Sequence, residues 1–182
     1  MSCKYIITKT GMMLTEVIRQ ALKREYDIHA ERIGMGFPGE DNGLTVRIYM
    51  YDIQRNSGMN DQRMKAVSTA RLRYPSNYYD LYYMVVPYSD SDLKFRVQEE
   101  CKISDLLLQT LGDLHSFEEE EDIGFCLIEP NLDVKMKIWN GFHLPFRTAL
   151  YGKAGPVEIE SARTKEVKRV TDIQLDFKEK ER

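Results

Sequence analysis

The residues of this chain whose chemistry would suit a metal ion or a substrate are few, and their spacing serves neither. His29, His115 and His143 lie far apart, and none has a second histidine two or three positions away. A metal site would need distant carboxylates to complete it. Cys3, Cys101 and Cys126 are odd in number and form no CxxC pair. That argues against a disulfide framework or a zinc site and for a reducing compartment. The run Glu118-Glu119-Glu120-Glu121-Asp122 lacks the alternating spacing and turn glycine of a calcium loop. It reads as a solvated acidic turn or loop, able to steer a basic partner. No P-loop, GxGxxG or GxSxG occurs. Gly34-Met35-Gly36 is the nearest approach to a glycine loop, and it lacks a third glycine and a following helix. The expectation is therefore no catalytic residue, no cofactor and no metal.

Composition points the same way. The chain has 182 residues and 42% hydrophobic content, enough for one full-sized core and short for two. Its 26 basic and 29 acidic residues leave a net charge of −3. A dedicated nucleic-acid binder would show a basic excess or stripe. No apolar run approaches bilayer length, and the N-terminus lacks a signal-peptide h-region, so the protein is expected to stay where it is made. Lys165, Lys168 and Arg169 are interleaved with Glu166 and Asp172, which favours a solvated edge strand over a basic patch.

The elements that must hold any binding surface follow from periodicity. Met13, Leu14, Val17, Ile18, Ala21 and Leu22 recur at helical steps, predicting a helix of about four turns started near Thr10. Gly34–Gly43 reads as loop. Leu44–Tyr51 alternates: Leu44, Val46, Ile48 and Met50 face a core, whereas Thr45, Arg47, Tyr49 and Tyr51 face outward or toward a partner. Asn56–Ala70 is polar and reads as a long loop. Tyr78–Val86 is apolar on both faces, with Leu81, Tyr83 and Val85 opposite Tyr82, Met84 and Val86, the mark of a central strand. Lys94–His115 predicts a second helix, with Val97, Cys101, Leu107, Leu108, Leu111 and Leu114 on its apolar side and Cys101 buried. Ile123–Glu129 suits a short strand.

Leu132–Asn140 fits two patterns. Val134, Met136 and Ile138 alternate with Lys135 and Lys137 as in a strand, while Met136 and Trp139 suit a short helix ended before Pro145. Arg147–Tyr151 and Val157–Ser161 read as a hairpin with Gly152 and Gly155 in its turn. Ile173, Leu175 and Phe177 alternate in a last strand, followed by a charged tail. The expected architecture is α+β: a mixed, largely antiparallel sheet packed with two main helices, one sheet face partly exposed. Residues 1–162 would form the domain, and 163–182 a strand-like extension and tail. Leu81, Tyr83, Trp139, Phe146 and Tyr151 are the expected structural core. Arg47, Tyr49, Tyr51, Glu118, Glu119, Glu120, Val170, Ile173, Leu175 and Phe177 are the candidate protein-interface residues.

Three segments carry a family resemblance: Leu44–Tyr51 with Arg55-Asn56; Asp80–Tyr88 with Leu107, Leu108, Leu111 and His115; and Trp139, Pro145-Phe146-Arg147 and Leu150-Tyr151 with Pro156–Ser161. In this order they resemble the N-terminal domain of cap, or tail-terminator, proteins of phage-tail-like contractile injection systems. The resemblance runs from about Met12 to Ser161. It implies a structural protein, not an enzyme. Such a protein forms a homohexameric ring with tail tube and sheath proteins as partners. It closes the tail end distal to the baseplate, stops polymerisation, assembles in the bacterial cytoplasm and then stays with the particle. It implies no small-molecule substrate, no cofactor and no membrane. The rivals are a phage tail terminator or neck completion protein joining tail to head, and a small enzyme or nucleic-acid module. The segment Arg163–Arg182 lies outside the resemblance.

Overall fold

The computed structural model describes residues 5–26, 30–40, 43, 45–59, 63–117 and 120–167. Helix α1 spans Ile6–Tyr26, followed by strands β1 (Ile33–Met35), β2 (Val46–Arg55), β3 (Lys65–Ser68), β4 (Arg71–Arg73) and β5 (Asn77–Pro87). Then come α2 (Leu93–Asp113), β6 (Ser116–Phe117), β7 (Glu120–Ile128), α3 (Leu132–Gly141), β8 (Leu150–Ile159) and β9 (Thr164–Glu166). Six strands form the main sheet in the order β1-β2-β5-β8-β7-β6, and β3-β4-β9 form a second, smaller sheet. Only β1 pairs parallel to its neighbour; the other described pairings are antiparallel.

Strand β5 is central, with β2 on one side and β8 on the other. Its alternate residues fill two cores. Leu81, Tyr83 and Val85 join the larger one, with Leu14, Ile18 and Leu22 of α1 and Ile103, Leu107 and Leu111 of α2. Met84 and Val86 join the smaller one on the opposite face, with Trp139 of α3 and Tyr151 of β8. Successive strand residues point to opposite faces, so a strand apolar at every position must be covered on both.

Among the described residues a third α-helix joins the two main helices expected, because Leu132–Gly141, which fitted both patterns, resolves as helix. Asn131 decides it: its side chain accepts a hydrogen bond from Val134 N at 2.9 Å, satisfying a first-turn donor. Helix α1 is longer than expected. Thr10 lies inside it, fully buried, and its hydroxyl donates to Ile6 O at 2.8 Å. Gly34 belongs to strand β1 and not to a loop. Arg19 of α1 anchors that strand by donating to Ile33 O from Nε at 3.0 Å and Nη2 at 2.8 Å.

Three further expectations are corrected. Cys101 is exposed, as are Val97 and Leu108. Helix α2 carries two apolar stripes, and the one through Ile103, Leu107 and Leu111 meets the sheet. The segment 56–70 holds strand β3, which has no apolar pattern because all its residues are exposed. The expected hairpin is a single continuous strand, β8. Its glycines serve close approach. A Cβ on Gly152 would stand 2.9 Å from Phe125 Cε2 and nearer still to Cζ. One on Gly155 would stand 2.6 Å from Asp80 Oδ1, where β5 carries an irregularity between Tyr79 and Leu81. The strand expected over Ile173–Phe177 lies outside the described residues, as do Cys3, His29 and Leu44. The boundary expected after residue 162 falls just before β9, which pairs with β4.

Overpacking a filled site costs about 1–3 kcal/mol, so Gly152→Ala should lower stability by that amount. Gly112→Ala, whose Cβ would meet nothing within 4 Å, should be neutral or stabilising by up to about 1 kcal/mol. Urea midpoints of the two variants check this. Equal midpoints would contradict the role given to Gly152.

Candidate docking surfaces

Helix α3 lies across the face of the sheet opposite α1 and α2. Trp139 is 1% exposed and donates from Nε1 to the Tyr151 hydroxyl at 3.2 Å. The bond satisfies a buried indole that would otherwise carry an unpaired donor. Phe37, Tyr49 and Phe142 form a closed edge-to-face trio with centroids 5.4–5.6 Å apart. Tyr51 packs edge-on against Tyr151 at 5.9 Å and lies 6.1 Å from Tyr82. Each such pair contributes about 0.5–1.5 kcal/mol beyond its burial.

The candidate interface residues therefore have unequal settings. Arg47 is 6% exposed. Its Nη1 donates to Pro38 O at 3.0 Å, and its guanidinium stacks 3.8 Å from the Tyr88 ring centroid. Tyr49 and Tyr51 are half-buried against α3's core. Glu120 lies in the backbone of β7, whereas Glu118, Glu119, Val170, Ile173, Leu175 and Phe177 lie outside the described residues. Of the expected core, Leu81, Tyr83, Trp139 and Tyr151 are buried. Phe146 corrects the expectation: it is 44% exposed and touches Trp139 from the rim, 6.4 Å between ring centroids. The other end of this face, at Tyr82, Lys153 and Cys126, is half-buried to exposed.

Sequence reasoning missed the second sheet. Strands β3 and β9 are its two edges, and every residue of both is exposed. It is fastened by surface chemistry. Lys65 pairs with Glu158 at 2.6 Å, Arg71 with Glu166 at 3.6 Å, and Arg73 with Glu160. Arg163 stacks 4.5 Å from the Tyr74 ring centroid. The Lys65 hydrogen bond, aided by Ser76, holds the Glu158 carboxyl below the usual carboxylate range. Exposed ion pairs contribute only about 0–1 kcal/mol each, so this arm is held more weakly than the aromatic layer. Open strand edges offer unpaired N–H and C=O groups to an incoming chain. Pairing with β4 is the one signal that could have revealed β9, and no single-strand pattern carries it.

Among the described residues, no group of three or more His, Cys, Asp or Glu side chains could hold a metal ion. No described helix is long and apolar enough to cross a membrane.

Residues 12–172 match the Pvc16 N-terminal domain family. The chain belongs to that family. No curated protein matches it in sequence. Among the solved structures that share its fold are two terminators. One is the sheath/tube terminator of PVC, an extracellular contractile injection system, in its extended state: TM-score 0.72 at 14% identity, covering 99% of this chain and 65% of that one. The other is the anti-feeding prophage cap, a tube-terminating cap: TM-score 0.70 at 14% identity, covering 97% of this chain and 62% of that one. The chain thus spans less than two thirds of the length of either relative. The family, the mixed and mostly antiparallel sheet and the tail-terminator-like fold agree with the sequence expectation.

The buried and half-buried tyrosines of the sheet predict a pH dependence. Burial pushes the Tyr51 hydroxyl from 10.0 up to about 12, with smaller contributions from Tyr151, Tyr82 and Asp52. Burial also raises Tyr151, against the opposing Trp139 bond, and raises Tyr83. The folded state then binds these protons more tightly than the unfolded chain. Their contribution is full below pH 10.0 and is lost as pH rises toward about 12. Denaturant titrations across that window should show falling stability, and a shallower fall in Tyr51→Phe. A flat profile would contradict the packing described.

Proposed function

We propose that the chain is the cap, or terminator, domain of a contractile injection system. Copies associate head-to-tail into a closed ring, hexameric to match the tube and sheath, which closes the distal end and stops further polymerisation. In such a heterologous ring each subunit presents two different surfaces. The work is structural and not enzymatic, and the protein ends as part of the phage-tail-like particle. What supports this reading is the family membership together with a fold likeness to two terminators over almost the whole chain.

The distribution of exposed groups suggests how docking divides. The faces of the main sheet are largely occupied by the chain's own helices, which leaves Arg47 and Tyr49 to internal contacts. Among the described residues no strand pairs with the outer edges of β3 and β9. Docking to sheath or tube is assigned to those edges and to the sequence that continues beyond β9, where Ile173, Leu175 and Phe177 alternate after Val170. Tyr51 and the acidic run Glu118–Glu120 are secondary contacts in this scheme.

Negative-stain imaging of the purified protein, alone and mixed with tube and sheath, tests it. Six-fold rings seated on tail ends are expected. A dispersed monomer in all conditions, with no binding to tube or sheath ends, would overturn the reading.

A further inference from the structure

A cavity of about 500 Å³ opens where β2 begins, β5 ends, α2 starts and the loop after α3 crosses, and Arg47, Tyr88, Arg96, Trp139, Leu144 and Arg147 help line it. Tyr88 is its centre. The Arg47 guanidinium lies 3.8 Å and that of Arg147 4.5 Å from its ring centroid. The Tyr88 hydroxyl donates to Pro38 O, which also accepts from Arg47. Two cations thus share one ring, and a carboxylate, that of Glu100, offsets only the charge of Arg147.

The surrounding charges do not cancel. Arg32 pairs with Asp90, and Arg147 Nη2 with Glu100 Oε1 at 2.7 Å. Glu99 accepts hydrogen bonds from Ser89 and Ser91, which hold its carboxyl below the ordinary range. Arg47 and Arg96 face no carboxylate partner among the described residues. The Nε–H of each is buried and donates to nothing. Buried donors are normally satisfied, and charged ones most of all.

We infer that this pocket is a carboxylate-binding site that takes an acidic side chain from a partner protein's segment. Among the described residues, three guanidinium groups and the Asp90 carboxylate line the pocket, and Glu100 pairs with Arg147, which leaves a surplus of one positive charge. That surplus suits a single carboxylate, and a dianionic phosphate would bring Asp90, Glu99 and Glu100 into repulsion with it. Trp139, Leu144 and Pro145 supply apolar lining for the methylene stem of such a side chain. The inference stands on these residues and is independent of the ring reading, so either can fail alone.

The test reads the arginine Nε–H resonances of the full chain by NMR. The titrants are N-acetyl-Ala-Glu-Ala-amide, its Gln counterpart and inorganic phosphate. The Glu peptide should shift Arg47 and Arg96 Nε–H saturably, and the Gln peptide should not. Arg96→Gln should weaken binding about tenfold, with the remaining backbone spectrum unchanged. If that variant misfolds, the wild-type response of Arg47 Nε–H decides alone. An equal or stronger response to phosphate, or no saturable response to the Glu peptide, would overturn the assignment.

Discussion

Strand β5 is apolar at nearly every position, and the rest of the structure follows from the need to cover both its faces. Leu81, Tyr83 and Val85 demand one cover, and Met84 and Val86 demand another. Helices α1 and α2 provide the first. A three-turn helix alone would be a thin second cover, so α3 is extended by aromatic rings from elsewhere: Phe37 before β2, Tyr49 and Tyr51 on it, and Phe142 just past the helix end. The Trp139–Tyr151 hydrogen bond ties this layer to β8 while leaving neither polar group stranded.

Covering most of both faces leaves the edges and the strand ends as the freest ground. The β3-β4-β9 arm is exposed on both of its outer strands and secured mainly by surface ion pairs. Such pairs contribute about 0–1 kcal/mol each, whereas removing a buried Trp costs about 3–5 kcal/mol. The stability of the domain therefore resides in the two cores, and the arm can rearrange against a partner at small cost. At the opposite extreme sits the arginine pocket, rigidly built by Arg47 and Tyr88 and left with unpaired donors. An adaptable edge and a prearranged charged socket suit the docking role proposed above.

Much of this could be read from residue order. Strands β2 and β5 and helix α1 declare themselves because one face, or both, is continuously apolar. What escaped was set by contacts distant in sequence. Gly152 and Gly155 look like turn residues until Phe125 and Asp80 are seen beside them. Cys101 sits on a convincing apolar stripe of α2, but a competing stripe through Leu107 packs better. Phe146 looked like core, yet Trp139 had already filled the space beneath it. Strands β3, β4 and β9 have no apolar face, so only their mutual pairing makes them strands. Asn131 was the one local signal that could have settled α3 in advance.

In the proposed arrangement the sheet faces hold the fold and the strand edges hold the partners. Hydrogen exchange of the free chain against the same chain mounted on tube and sheath ends tests it most directly. Backbone amides of Lys65–Ser68 and Thr164–Glu166 should exchange more slowly in the assembly, while those along α2 stay unchanged. Protection appearing along α2, around Val97, Cys101 and Leu108, with none at the arm, would contradict it.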